Sequence, residues 1–226
     1  PIIRGIVMNR RPPDNTNLRL TYESFYNGLR VYNYKGPLAI NYLESIEQVL
    51  AKAMDDYARV LVVRFDLRFP ITAEYASESN SITRFFEALK YQFATDSKRR
   101  LSSYNRVHPC TIRYVWCLEQ EGSEKPHYHV ALVLNESYFG RLGKYSGSET
   151  SLACFIKRAW ASALKLNISE LAGGVHFVNN ASYHLLRNEG RASMSYQDAF
   201  YRLSYFAKLK SKHYGDSRKS FNCSRN

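Results

Sequence analysis

The chain has 226 residues, enough for one sizeable core, and its 45% hydrophobic and 23% charged content is ordinary for a globular protein. Lys and Arg number 32 against 20 Asp and Glu, and the resulting +12 favours a polyanionic partner while fitting a hydrolase of small phosphates poorly. No apolar run approaches a membrane span and no signal-peptide pattern opens the chain, so membrane and secreted classes are set aside and a cytoplasmic location is expected.

Residues 1–17 (PIIRGIVMNRRPPDNTN) are rich in Pro, Arg and Asn and read as an arm or loop. Apolar spacing of three and four over 38–57 predicts an amphipathic helix. Arg59 to Phe69 (RVLVVRFDLRF) is β-branched and aromatic, ends at Pro70 and reads as a strand. Ile82, Phe85, Phe86, Leu89 and Phe93 give helical spacing from Ser81 to about Ser97, running into the basic stretch Lys98-Arg99-Arg100. Thr111 to Glu121 and His127 to Asn135 are strand candidates, and the short GSEKP connection makes them an antiparallel hairpin. A helix follows around Glu149 to Leu164, then a short strand at Val175 to Val178, then a helix over about Tyr196 to Lys212. The four cysteines lack C-x-x-C spacing and read as reduced thiols, which disfavours a zinc finger.

This order predicts one α+β layer, an antiparallel sheet with helices mainly on one face. Residues 1–55 are taken as an N-terminal arm and helix packed on or appended to the main domain, 56–215 as that domain and 216–226 as a basic tail poorly ordered in isolation.

The sharpest local signal is Pro126-His127-Tyr128-His129 at the start of an apolar strand. Strand alternation puts His127 and His129 on one face and Tyr128 on the other, so the two imidazoles can ligate one divalent cation. Alone, H-x-H is commonly a pair of polar residues near a turn. On the adjacent strand, Glu119 and Glu121 share one parity, and the hairpin can bring either beside the histidines. Two imidazoles and a carboxylate make an open-sided site for Mg²⁺ or Mn²⁺ with room for a scissile phosphate.

The second signal is Tyr201-Arg-Leu-Ser-Tyr205-Phe-Ala-Lys208. At roughly 100° per residue, Tyr201, Tyr205 and Lys208 fall within about 60° on one polar face, opposite Phe200, Leu203, Phe206 and Ala207. A phenolic oxygen can attack phosphorus, although with an ordinary pKa near 10 it needs activation by a metal or a nearby lysine. The plain alternative is that both tyrosines cover a helix edge.

The combination of PHYHV with a downstream YRLSYFAK resembles the HUH endonucleases, which pair a His-hydrophobe-His metal motif with a catalytic tyrosine helix. Two tyrosines four apart with a lysine three further on are similar to the phage gene A-type initiators. The run from VVRFDLRFP through CLEQEGSEKPHYHVALVLN to the tyrosine helix, roughly residues 55–215, also resembles the YagK/YfjJ-type replication proteins of filamentous phages (inoviruses) and prophages.

The resemblance implies a ferredoxin-like or RRM-like sheet and nicking of single-stranded or locally melted origin DNA to start rolling-circle replication. A 5′-phosphotyrosine link would form, leaving a 3′-hydroxyl for host polymerase, with a host helicase to unwind. It implies His127, His129 and Glu119 as metal ligands, with Glu121 as substitute. Tyr205 becomes the first nucleophile, Tyr201 a second in a two-tyrosine scheme, and Lys208 the motif lysine. Tyr128 departs from the more usual aliphatic residue between the histidines.

Rival readings are a relaxase or transposase using the same chemistry, and a DNA- or RNA-binding module without cleavage. Asp66, between Arg64 and Arg68, is read as touching metal or DNA or as a salt bridge. His176 and His184 are read as structural or surface residues, and Lys98, Arg99 and Arg100 as a phosphate patch or a solvated helix end.

Overall fold

The computed structural model describes residues 11–12, 15–70, 80–104, 106–120, 125–143, 150–210, 212 and 219–225. Most of the expected arm, Glu121, and residues 216–218 and 226 of the expected tail lie outside them.

The described residues open with four two-residue strands, β1 (Leu20–Thr21), β2 (Phe25–Tyr26), β3 (Leu29–Arg30) and β4 (Leu38–Ala39). They pair antiparallel, β1 with β4 and β2 with β3. The β2–β3 hairpin turns on Asn27 (φ 49°) and Gly28 (φ 77°), the two left-handed residues that a type I′ turn requires. Helix α1 (Ile40–Asp56) buries Leu43, Ile46, Val49, Leu50, Ala53 and Met54 along one stripe. Strand β5 (Arg59–Arg68) leads to helix α2 (Ser81–Tyr104). Then come β6 (Arg113–Glu119), β7 (His127–Asn135) and helix α3 (Leu152–Leu164). The Ser151 side chain caps α3 by accepting from the Cys154 N–H. After β8 (Val175–Leu186), helix α4 (Met194–Ser204) is capped by Ser193 and runs into a 3-10 turn, Tyr205–Ala207. Strand β9 (Phe221–Cys223) closes the described fold.

Strands β8-β5-β7-β6-β9 form, in that order, one antiparallel sheet. The expectation of helices mainly on one face is corrected, because each face carries two. Leu61, Val63, Phe65, Val130, Leu132 and Trp116 face α2 and α3. Val60, Val62, Val115, Cys117, Ala131 and Val133 face α1 and α4. The reason is in the strands, whose odd and even residues are both apolar, so neither face can be left wet. Helix α1 therefore shares a core with the sheet. The tail, read as poorly ordered in isolation, takes its order from the sheet: Phe221–Cys223 pairs with Val115–Cys117, adding an edge strand.

Two more boundaries moved. Strand β8 runs to Leu186, with a register irregularity opposite Val63–Phe65 and Asn180 at φ 53°. Helix α2 continues through Lys98-Arg99-Arg100, where Arg99 and Arg100 each hold the buried Asp96 at 2.6 Å. Two of the three candidate phosphate binders thus serve an internal carboxylate. No helix among the described residues is long and apolar enough to cross a membrane.

Candidate functional site

Antiparallel register sets Asp66 opposite His129 and Arg68 opposite His127 on one side of β7. On the other side it sets Cys117 opposite His129 and Glu119 opposite His127. By alternation Arg64, Asp66, Glu119, His127 and His129 all point to the α1/α4 face, at the end where its apolar ladder stops. Tyr128 points to the other face, packed against Trp116 and Trp160.

His129 Nε2 lies 3.2 Å from His127 Nε2 and 3.3 Å from Glu119 Oε2. Two ligands held at about 2.1 Å from one ion, at right angles, stand about 3 Å apart, so the spacing suits a shared cation. Among the described residues, this trio is the group whose ligand atoms lie close enough for that, all within 4.8 Å. Behind it, His129 Nδ1 donates to Asp66 Oδ1 at 2.6 Å, leaving Nε2 turned inward, as ligand histidines with a carboxylate partner are held. The donor set therefore fits a divalent metal, with Asp66 as the carboxylate that orients a ligand.

The 3-10 turn after α4 brings the expected nucleophile to this group. Tyr205 Oη donates to Glu119 Oε2 at 3.2 Å and accepts from Lys208 Nζ at 2.9 Å. Lys208 is 1% exposed and also pairs with Glu119 Oε2 at 3.3 Å. The expected face of one continuous helix is replaced by a helix, a turn and an extended residue, since Lys208 has ψ 138°. An isolated bridge between Leu38 and Lys208 fixes that exit. Glu119, His127, His129, Tyr205 and Lys208 are thus brought together. Tyr201 sits apart, its ring against Tyr32 and under the Arg30 guanidinium.

Burial alone would raise the Glu119 carboxyl, but its hydrogen bond to His129 and the charges of His129, Lys212 and Lys208 hold it well below the carboxylate range. For Asp66 burial likewise opposes, and the His129 hydrogen bond and charge outweigh it, giving about 2. Burial, then the neighbouring His129, lowers His127 to about 4, so it is a neutral donor at pH 7. Burial also raises the Tyr205 phenol, and Lys208 pulls against that rise.

Two contributors escaped the sequence reading, and a third stood in it only as one of the tyrosines beside Arg30. Arg64 lies 5.4 Å from the centroids of both the Tyr205 and Phe206 rings. Lys212, buried, stands 3.8 Å from Glu119 Oε1. Tyr32 sets its ring edge against Tyr205, with centroids 5.5 Å apart. In the sequence Tyr32 stands with Tyr34 beside Arg30, a ring-and-cation pattern that suits stacked bases; Arg64 and Lys212 carry no comparable signal. His176 is an exposed neighbour of Asp66 at 3.5 Å, and His184 pairs with Glu136 at 3.2 Å; neither belongs to the trio.

Comparison with known proteins gives consistent relatives. The family model "YagK/YfjJ C-terminal domain" matches residues 21–224. The chain is 31% identical to Escherichia coli (strain K12) "Uncharacterized protein YagK" over 84% of its own length and 97% of that protein. It is 30% identical to "Uncharacterized protein YfjJ" of the same strain, over 81% and 93%. No solved structure matches significantly. With the match running from the first hairpin segment to the last strand, the chain belongs to the YagK/YfjJ C-terminal domain family.

Proposed function

We propose that this protein is a metal-dependent endonuclease that nicks single-stranded origin DNA through a tyrosine, initiating rolling-circle replication of a phage or prophage-like element. The observation that carries the reading is one oxygen, Glu119 Oε2, lying 3.3 Å from His129 Nε2 and 3.2 Å from Tyr205 Oη. A metal-ligand set and a nucleophile are thereby joined at a single carboxylate. Supporting it, the run β5–α2–β6–β7–α3–β8 with strands ordered β8-β5-β7-β6 is the order that a split βαβ, ferredoxin-like sheet would require. The net charge of +12 suits a DNA partner.

His127, His129 and Glu119 would hold Mg²⁺ or Mn²⁺, which supplies a Lewis acid for a phosphoryl oxygen. Glu119, held so firmly as a carboxylate, is a poor proton acceptor. Activation of Tyr205 therefore falls to Lys208, whose ammonium at 2.9 Å favours the phenolate. The phenolic proton is lost to water, the Tyr205 O–P bond forms and the P–O3′ bond breaks. The departing 3′ oxygen takes a proton from water and becomes the primer for a host polymerase, with a host helicase unwinding ahead.

A nucleic-acid-binding module without cleavage is the second reading. Its support is that Lys208 and Lys212 already neutralise Glu119 in a closed, buried network. The test is incubation of labelled single-stranded DNA from a candidate origin with Mn²⁺ and wild type, Tyr205→Phe, Tyr201→Phe or His129→Ala protein, read on a denaturing gel. A metal-dependent protein–DNA adduct is expected, reduced about 10³-fold or more in Tyr205→Phe and in His129→Ala. Loss in Tyr201→Phe alone would transfer the nucleophile's role. Tight chelator-resistant binding without adduct across varied single strands would establish the second reading instead.

A further inference from the structure

The N-terminal hairpin lies outside the stretch of chain that carries the chemistry, yet it forms one wall of the site. Its inner residues are anchored: Leu29 and Val31 are buried in the α1/α4 core, and Tyr26 stacks on Phe200 with centroids 6.3 Å apart. Asn27 Nδ2 donates to Glu47 Oε2 at 3.0 Å, and Arg191 joins the same corner through Glu47 and the Asn27 carbonyl. The Tyr32 N–H donates to Ser204 Oγ at 2.8 Å, tying the strap beyond the hairpin to the residue before Tyr205.

The outer residues are a different population. Phe25 and Arg30 are cross-strand partners and both exposed, Phe25 at 61%. Tyr34 is 68% exposed, accepts from Arg30 Nη2 at 3.0 Å and meets the Tyr32 ring edge-on at 5.4 Å. The Arg30 guanidinium lies 5.0 Å over Tyr201. Tyr32 is wedged between the two motif tyrosines, 5.8 Å from Tyr201 and 5.5 Å from Tyr205. A continuous series of rings with an embedded cation thus runs from solvent to the nucleophile. Such rings accept bases of any identity while cations hold the flanking phosphates, which is how single strands are gripped.

We infer that Tyr34, Tyr32, Arg30 and Tyr201 form a nucleobase-binding shelf that seats single-stranded DNA beside Tyr205, with Tyr201 a wall of this shelf. The inference rests on the proposed nicking function for the identity of its ligand. It deepens that reading by assigning base stacking to a hairpin and to the second tyrosine. Firm anchoring of the inner residues keeps the shelf in place before DNA arrives, so little ordering is needed on binding.

The test uses the full chain carrying Tyr205→Phe, in chelator, so that binding is read without cleavage. The probe is a fluorescein-labelled pool of mixed-sequence single strands about 20 nucleotides long, followed by anisotropy. Adding Tyr34→Ala is expected to weaken binding about tenfold, and Tyr34→Phe to keep it within about twofold. Arg30→Gln should reduce the salt slope by about one counterion. Tyr91→Ala, an aromatic 74% exposed on α2, is the control and should change nothing. The shelf is overturned if Tyr34→Ala binds like its parent, if Tyr91→Ala loses as much, or if the pool does not bind. The two ideas fail separately. Adduct formation by otherwise wild-type protein with unchanged Tyr34→Ala binding sinks the shelf alone. A ring-dependent grip on DNA with no adduct in metal sinks the nuclease alone.

Discussion

Where α2 and α3 meet the sheet, Phe65, Phe85, Phe69 and Trp160 interlock ring to ring, with centroids between 5.4 and 6.2 Å. On the opposite face, beyond Val115, Ala131 and Val133, the same strands bury Asp66, Glu119 and His129 against Lys208 and Lys212. One face is what folding alone would select. Burying charges carries a desolvation penalty that well-packed apolar residues of similar volume would avoid. The contrast between the faces therefore marks the polar end as a place that needs a reason other than stability.

Four expectations would break or sharpen that contrast. The largest is on the dry face: Phe85→Ala should lower stability by about 3–5 kcal/mol, measured by denaturant unfolding, while leaving the metal response intact. Next, Mn²⁺ at about 100 times its dissociation constant should stabilise wild type by about 2.7 kcal/mol in thermal melts. His129→Ala should show no such gain, and an equal gain would mean that the polar end is no metal centre. Third, Asp66→Asn should weaken Mn²⁺ binding by about 10-fold, measured by titration calorimetry, because it loosens the carboxylate that orients His129. An unchanged affinity would reduce Asp66 to a salt-bridge residue.

The smallest effect is in pH. His127 is lowered to about 4 in the folded protein, so an unfolded chain with an ordinary value near 6.5 takes a proton first. Stability of the metal-free protein should therefore fall as pH drops from about 6.5 towards 4. It should fall further below about 4, where unfolded Asp66 protonates while the folded group holds out to about 2. His127→Asn should flatten the upper part of the melting profile, and an unchanged slope in that variant would remove His127 as its source.

The legible parts of the fold were those governed by local pattern. Strands β5 and β7 are apolar runs bounded by Pro70, Pro126 and Asn135, and α1 shows a stripe of period near 3.6. Strand β9 was illegible because KSFNCS has little strand character of its own; it is a strand because β6 offers an open edge. Burial of both sheet faces was legible, because both parities of β6 and β7 are apolar; that α1 and α4 supply the second cover was not. In the site, the His127–His129 pair, Glu119 and the Tyr205–Lys208 spacing could be read because strand and helix periods carry them. Asp66 was visible as a residue but not as the partner of His129, since a register 63 positions apart sets that contact. Tyr32 meets Ser204 across 172 positions, and no local pattern encodes such a distance.

The two borders of the sheet have a consequence for behaviour in a crowded cell. A bare β6 would present unpaired amides beside Val115 and Cys117, an invitation to another chain's strand; β9 occupies that side. The far border, β8, is protected by its own irregularity, with Asn180 left-handed and the ladder to β5 interrupted. The proposed nickase, held near long polyanions, would gain from having neither flank sticky. Strand β9 thus covers an edge open to self-association as much as it closes the described fold.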